Sequence, residues 1–419
     1  MKTEQVDVLV IGAGPAGTVA ASIIHQAGYK VKIVEKMKFP RFVIGESLLP
    51  RSMEALEEAG FIDAIKAQGF QEKSGAKFVK GDALCDFTFE QQFTPGWTWT
   101  WQVTRADFDK ALADTVESMG VPVSYETTVT GIRFDGSDSV TTIEDSNGNK
   151  SEIAARFIVD GSGYGRVIPR LFNLEGASNL QPRRALFAHT FDERRSMVTD
   201  QPNRITAVVH KPGVWIWIIP FATGVTSLGF VGEPEFFDQY PGTDEDKYRA
   251  LLEAEPYTRE RFRDVKLVFE PKTLQSWSAT TSKFYGDGFV LTGNVTEFLD
   301  PIFSSGVTLA CVSAQTAAKL VIKKLKGEAV DWEKEYMEPT MQGVNTFRSY
   351  VMAWYEGTLD TIFFKKDPDP LIKGQICSVL AGYVWDMSNP FVKNHDTALK
   401  RLARTIELTE KLKSSSEIE

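Results

Sequence analysis

Six consecutive residues near the N-terminus combine types and spacing that do chemistry: Gly12-Ala13-Gly14-Pro15-Ala16-Gly17. Gly12 permits a tight turn, Gly14 lets the backbone approach a pyrophosphate, and Gly17 lets a helix press against a strand. A helix opening at Pro15 and Ala16 would point free N–H groups and its positive dipole end at phosphate oxygens. Further on, Glu35 and Lys36 close a second apolar run. A carboxylate at that distance accepts hydrogen bonds from ribose hydroxyls and repels a 2′-phosphate, which disfavours NADP. The motif alone does not separate FAD from NAD.

These residues need a particular scaffold. VDVLVIG (6–12) is a continuous apolar run, as in a buried parallel strand. TVAASIIHQAGY (18–29) has a helical pattern, and VKIVEK (31–36) is a second strand. The chain of 419 residues exceeds one ordinary core and suggests two or three units. Its hydrophobic fraction of 42% and charged fraction of 25% are those of an average globular protein. A net charge of −9 argues against nucleic acid as a partner. No apolar run reaches the ~18 residues of a membrane span, so none is expected. The N-terminus enters a strand pattern directly, without a signal-peptide pattern, and the expected location is cytoplasmic. Cys85, Cys311 and Cys377 are scattered and expected as buried free thiols; the four histidines are scattered too, and no metal site is expected.

Six further segments carry candidate residues. Phe39-Pro40-Arg41 and Gly45-Glu46-Ser47 form a polar, irregular connection, of the kind that carries function or caps the following helix, SMEALEEAG. QVTRADFDKAL (102–112) offers Arg105, while Asp109 also fits a surface helix position. RFIVDGSG (156–163) ends an apolar strand in Asp160-Gly161, and GFVLTGN ends one in Gly293-Asn294. Asp300-Pro301-Ile302-Phe303-Ser304-Ser305-Gly306-Val307 is a polar turn feeding a helix N-terminus, a ready anion site. Gly-Val-Trp-Ile-Trp-Ile-Ile-Pro (213–220) places Trp215 and Trp217 on one face of a strand, as a core pair or a pocket wall.

Together these segments resemble the FAD-dependent superfamily of aromatic hydroxylases, geranylgeranyl reductases and flavin-dependent halogenases, over residues 1 to about 335. FPRxxxGESLLP, QVxRxxFDxxL, the Asp-Gly strand end and WxWxIP carry the resemblance, and Phe303 agrees with the phenolic and carrier-tethered halogenase branch. The resemblance implies FAD as cofactor, held by Gly12, Gly14, Pro15, Ala16, Gly17, Glu35, Lys36, Arg41, Glu46, Ser47, Arg105, Asp160, Gly161, Gly293, Asn294, Pro301, Ser305, Gly306 and Val307. Asn294 stands where the family has an aspartate, and an amide can still hydrogen-bond a ribityl hydroxyl. It also implies halide binding at the Ser305 and Gly306 amides, a substrate pocket with Trp215, Trp217 and Phe303, and a catalytic lysine at Lys73, with Lys77 and Lys80 on the same segment.

The expected fold is α/β. A discontinuous Rossmann-like FAD-binding domain takes 1–75, 100–180 and 275–335. An antiparallel β-sheet substrate domain takes 76–99 and 181–274, and a helical C-terminal region takes 336–419. The expected function is a halogenase-like FAD-dependent oxidoreductase that works through a flavin hydroperoxide on an aromatic small molecule, free or tethered to a carrier protein, with a separate flavin reductase as partner. The alternatives are a related monooxygenase or a geranylgeranyl-reductase-like dehydrogenase using NAD(P)H, and a non-catalytic flavin-binding protein.

Overall fold

Apolar, β-branched runs alternate with helix-forming stretches, and they form the strands and helices of a mixed α/β protein. The computed structural model describes residues 3–178, 180–197 and 201–416. In chain order, the elements that carry candidate residues are β1 (Thr3–Ile11), α1 (Pro15–Gln26), β2 (Val31–Val34), β3 (Gln71–Lys73), β4 (Gly75–Lys80), β5 (Ala83–Thr88), β6 (Thr100–Gln102), α2 (Arg105–Ser118), β7 (Lys150–Asp160), β8 (Arg184–Phe191), β9 (Thr206–Lys211), β10 (Val214–Pro220), β11 (Val225–Gly232), β12 (Phe289–Leu291) and α3 (Ser305–Leu325).

The chain divides into two compact units, each built from three separated stretches. The first takes 1–70, 103–179 and 278–344; the second takes 71–102, 180–277 and 345–419. The C-terminal helices from Asn345 therefore group with the antiparallel sheet and do not stand as a third region, and residues 71–75 also fall with that sheet.

In the first unit β1 lies at the centre, parallel to β7 on one side and β2 on the other, and β12 extends the sheet parallel to β7. Val8, Leu9 and Val10 are fully buried, which explains why the second half of β1 is apolar. The register aligns Ile11 with Val34 and Asp160, and Asp160 with Leu291. Gly12, Glu35, Gly161 and Gly293 thus emerge along one edge, at the carboxyl ends of the strands, where open α/β sheets bind ligands. Gly12 has φ +93°, a conformation that favours glycine. Helices α1 and α3 pack against one another beside the sheet. Among the described residues, α3 is the one helix long and apolar enough to cross a membrane, and most of it is buried within the unit as a core helix.

The second unit holds a seven-stranded sheet in the order Lys272–Gln275, β8, β11, β10, β9, β4, β5. All neighbours are antiparallel except β9 and β4. Every residue of β10 is buried. Ile216 and Ile218 pack with Leu228, Phe230, Tyr248 and Leu251, so alternation puts Trp215 and Trp217 on the opposite face. Strands β3 and β6 form a separate antiparallel ribbon in which Lys73 faces Thr100. The C-terminal stretch grips the segment leading into β6: Ser378 Oγ accepts from the Thr94 amide at 2.9 Å and Tyr383 Oη donates to the Trp97 carbonyl at 3.1 Å.

Candidate functional site

The mouth of α1 is built from glycines. A Cβ on Gly17 would lie 1.9 Å from the Gly12 carbonyl oxygen, and one on Gly12 would lie 2.7 Å from that of Gly161. The N-cap of α1 is Gly14, and no side chain caps it. Glu35 is buried, and its two oxygens accept from the Ala13 and Met37 amides at 2.8 Å each. Pro15 and Ala16 are buried in the first turn, whereas Lys36 is exposed.

Arg41 reaches the same mouth, its Nη2 sitting 3.4 Å from where a Gly14 Cβ would be. Its Nη1 lies 3.1 Å from Asp109 Oδ2 and has no hydrogen-bond partner. Arg105 donates to both Asp109 oxygens, at 2.8 and 3.0 Å, and to the Ile44 carbonyl at 3.2 Å. Burial alone would discourage the Arg105 charge; Asp109 outweighs it and the pKa is raised. Asp109 is fully buried between two guanidinium groups, so the surface-helix reading of this residue is overturned. Glu46 and Ser47 are buried, and the Glu46 carbonyl accepts from the Val103 amide at 2.7 Å. The next helix starts at Ser52 without a side-chain cap, so neither residue serves the capping role that was left open for it.

Asp160 has its carboxylate turned inward. It accepts from the Ser162 amide at 3.0 Å and the Ile168 amide at 2.8 Å, and burial raises its pKa. It shapes the loop that carries Gly161 against Gly17. Gly293 has φ +61°, donates its N–H to Ser313 Oγ at 2.9 Å, and would bring a Cβ to 3.3 Å from the Ala16 Cβ. Asn294 is half-buried, and its Oδ1 lies 3.8 Å from the place of a Gly306 Cβ.

The mouth of α3 is formed differently. Asp300 Oδ1 accepts from the Ile302 amide at 3.0 Å, Phe303 is buried, and the N-cap Ser304 is left-handed with φ 56°. No side chain caps this helix. Its first N–H groups, on Ser305, Gly306 and Val307, have no acceptor within the helix. Thr308, one turn in, is fully buried with a hydroxyl that has no partner. Pro301 is half-buried in the turn that precedes it.

In the second unit the three lysines of residues 73–80 have different settings. Lys73 is buried, and burial first, then the charge of Arg204, lowers its amine from 10.5 to about 7. Its ammonium nitrogen lies 5.6 Å from the centre of the Phe89 ring. Lys77 is also buried, while Lys80 is half exposed and pairs with Asp360 at 2.8 Å. Trp215 donates to Tyr355 Oη and Trp217 to Ser227 Oγ, each at 3.0 Å. A Cβ on Gly229 would be 2.2 Å from the Trp217 ring, so that glycine makes room for the indole.

Two features escaped the sequence reading. Trp97, Trp99 and Trp101 form an edge-to-face ladder, with centroids 5.5 and 5.0 Å apart. Their i, i+2 spacing in GWTWTWQ was the available signal. Tyr164 packs edge-on against Phe298 at 5.4 Å, and Phe298 in turn lies 3.2 Å from the place of a Gly306 Cβ. Tyr164 is 40% exposed, and the surrounding protein drives its phenol upward.

The donor set of the first unit fits a dinucleotide with a diphosphate bridge. Two helix mouths lack capping side chains, the Arg41 guanidinium stands at the Gly14 backbone, and the Glu35 carboxylate lies against the Ala13 amide of the glycine loop. Comparison with known proteins agrees. The family model described as "FAD binding domain" matches residues 5–338. The chain is 62% identical to a flavoprotein/dehydrogenase of Cytophaga hutchinsonii, with a TM-score of 0.95 and coverage of 97% of this chain and 100% of that one. It is 26% identical to the 1H-pyrrole-2-carbonyl-(peptidyl-carrier protein) chlorinase of Pseudomonas fluorescens, covering 92% of this chain and 91% of the relative. It is 28% identical to the corresponding brominase of Pseudoalteromonas luteoviolacea, covering 79% and 80%.

Proposed function

Starting from the fact that the chain belongs to the FAD binding domain family and is a halogenase-like FAD-dependent oxidoreductase, we propose that it halogenates an electron-rich aromatic ring presented on a carrier protein. The observation that carries this reading is Lys73, a buried amine lowered to about 7. An ordinary lysine is charged at neutral pH and cannot act as a nucleophile; burial shifts this one toward the uncharged form.

FAD, when bound and reduced, would supply the two electrons that bring oxygen to the peroxide level, and that oxygen would oxidise the halide to hypohalous acid. Gly12, Gly14, Pro15, Ala16 and Gly17 would hold the diphosphate, Glu35 and Lys36 the adenosine ribose, and Arg41 and Arg105, fixed by Asp109, the outer face. Glu46, Ser47, Gly161, Gly293, Asn294, Pro301 and Val307 line the remainder, with Asp160 acting through the loop it holds. The amides of Ser305 and Gly306 would hold halide against the positive end of α3. Lys73 would accept halogen from hypohalous acid, R–NH2 + HOX giving R–NHX and water. The aromatic ring then takes X and returns its proton to the amine, restoring R–NH2. Trp215 and Trp217 would position the ring within the second unit. Carrier-tethered pyrroles on the two relatives support the substrate class, and a separate flavin reductase would supply reduced FAD.

The test uses holoenzyme, a flavin reductase with NADH, bromide, and a pyrrole-2-carbonyl thioester on a carrier protein, read by mass spectrometry. Lys73→Met is expected to lose bromination by more than about 100-fold with FAD content unchanged. Bromination at the wild-type rate in this variant would sink the assignment. A second reading, a dehydrogenase that takes hydride from NAD(P)H, is favoured by the 62% identity to a flavoprotein/dehydrogenase. Rapid anaerobic bleaching of the bound flavin by NAD(P)H, without a reductase, would establish it in place of the first.

A further inference from the structure

Near Lys73 lies a further cation, largely shielded from solvent, with an unusual set of partners. Arg204 precedes β9, and its Nη1 donates to Ser74 Oγ at 3.0 Å, the residue next to Lys73. Its Nη2 donates to Asp86 Oδ2 at 3.0 Å and to Thr88 Oγ1 at 3.1 Å, both on β5. The guanidinium lies directly over Gly75, where a Cβ would come within 2.4 Å of Nη1. A Cβ at position 75, the first residue of β4, would come closer still to the Phe87 carbonyl oxygen, at 2.1 Å, so the glycine lets both the β5 backbone and the guanidinium approach. The side chain of Arg204 is only 10% exposed, and its Nε has no acceptor.

The contrast with Arg105 is informative. Arg105 is gripped by both oxygens of one carboxylate, which Arg41 also approaches. Arg204 shares a single oxygen of Asp86, and its other partners are hydroxyls, which fix a guanidinium without cancelling its charge. We propose that Arg204 is a positioning residue for Lys73: clamped by Ser74, Asp86 and Thr88 over Gly75, it holds a fixed positive charge beside the lysine's strand and keeps the amine in its uncharged, reactive form. This rests on the reading of Lys73 as the halogen acceptor.

The surroundings of Lys73 within its unit are otherwise short of charge. Its partner strand β6 presents Thr100 and Gln102 on the same ribbon face, and Phe89 covers it. Glu72, on its own strand, alternates to the other face and is exposed. Lys77 on β4 is a second like charge, and Asp86 faces it across the β4–β5 pair. The charge of Arg204 lowers the Lys73 amine, second to burial.

The experiment is a titration read without turnover. FAD-loaded full-length protein is labelled with lysine carrying 13C at the ε carbon, and the Lys73 signal is assigned by its loss in Lys73→Arg. The wild-type midpoint is expected near pH 7. Arg204→Gln is expected to raise it by about one pH unit, Arg204→Lys to leave it in place, and Asp86→Asn not to raise it. An unchanged midpoint in Arg204→Gln overturns the proposal. So does an equal rise in Arg204→Gln and Asp86→Asn, because a merely structural clamp would respond alike to loss of either partner. Should Arg204→Gln fail to fold, Arg204→Lys and Asp86→Asn still decide: a rise above about half a unit in either sinks the fixed-charge account. If the midpoints move as expected while Lys73→Met still brominates, the coupling stands and the assignment of Lys73 falls.

Discussion

The mouths of α1 and α3 are alike in what they offer and unlike in how they are made. Both belong to the first unit, both open without a capping side chain, and both present free N–H groups. The α1 mouth is steric. Backbone touches backbone at Gly12, Gly17 and Gly161, and a single methyl group has nowhere to go. The α3 mouth is conformational. A buried phenylalanine, a left-handed serine and an aspartate bonded to the turn hold it open. The first arrangement tolerates nothing larger than glycine; the second should yield by degrees.

The largest expected effect tests the steric side. In Gly17→Ala the new Cβ meets a carbonyl oxygen at 1.9 Å, and neither atom belongs to a flexible side chain. We expect protein that purifies without FAD and loses more than about 3 kcal/mol of stability. Absorbance at the flavin band and denaturant unfolding check both. Retention of full FAD content would break the contrast at its root.

Next comes Asp109→Asn. The carboxylate sits between Arg41 and Arg105, and its loss leaves two buried guanidinium groups poorly matched. Removal of one partner of a buried ion pair costs about 3–5 kcal/mol. Because Arg41 stands beside Gly14, weaker FAD retention is expected together with the loss of stability. Unaltered unfolding would show that the steric mouth stands without its polar brace.

These two residues also show what a sequence discloses. The glycine fingerprint is local: its partners lie within one strand–helix–strand unit, apart from Gly161, and spacing alone reveals it. Asp109 depends on Arg41, far back in the chain, and on burial that helix periodicity left undecided. Asp160 was placed correctly at a strand end, but its inward turn depends on amides that only the folded loop supplies. The tryptophan ladder is held in place by Ser378 and Tyr383, nearly 300 residues on, which no local pattern discloses. Lys73 drew attention through family resemblance; Arg204 did not, because β4 and β9 meet only in the folded sheet.

Gly306→Ala probes the other mouth. Its Cβ would lie 3.2 Å from an edge atom of the Phe298 ring, and an aromatic ring can shift by the few tenths of an ångström required. A stability change within about 1 kcal/mol is expected, together with a several-fold rise in the bromide KM of the halogenation assay. Collapse of FAD binding, as in Gly17→Ala, would make the two mouths equivalent.

The smallest effect belongs to Ser304→Gly. A non-glycine residue at φ 56° carries strain of about 1 kcal/mol, which glycine relieves. Glycine also loosens the unfolded chain, at a cost of about 0.4–1 kcal/mol. The two terms oppose each other and nearly cancel, so the unfolding midpoint should hardly move and FAD content should stay full. The prediction is sharp because it assigns the serine hydroxyl no structural duty: no capping bond is made from it. A loss of more than about 1 kcal/mol could not come from the backbone, where glycine is the better residue. It would have to come from the side chain, and the α3 mouth would then be built by a specific polar contact, no longer by conformation alone.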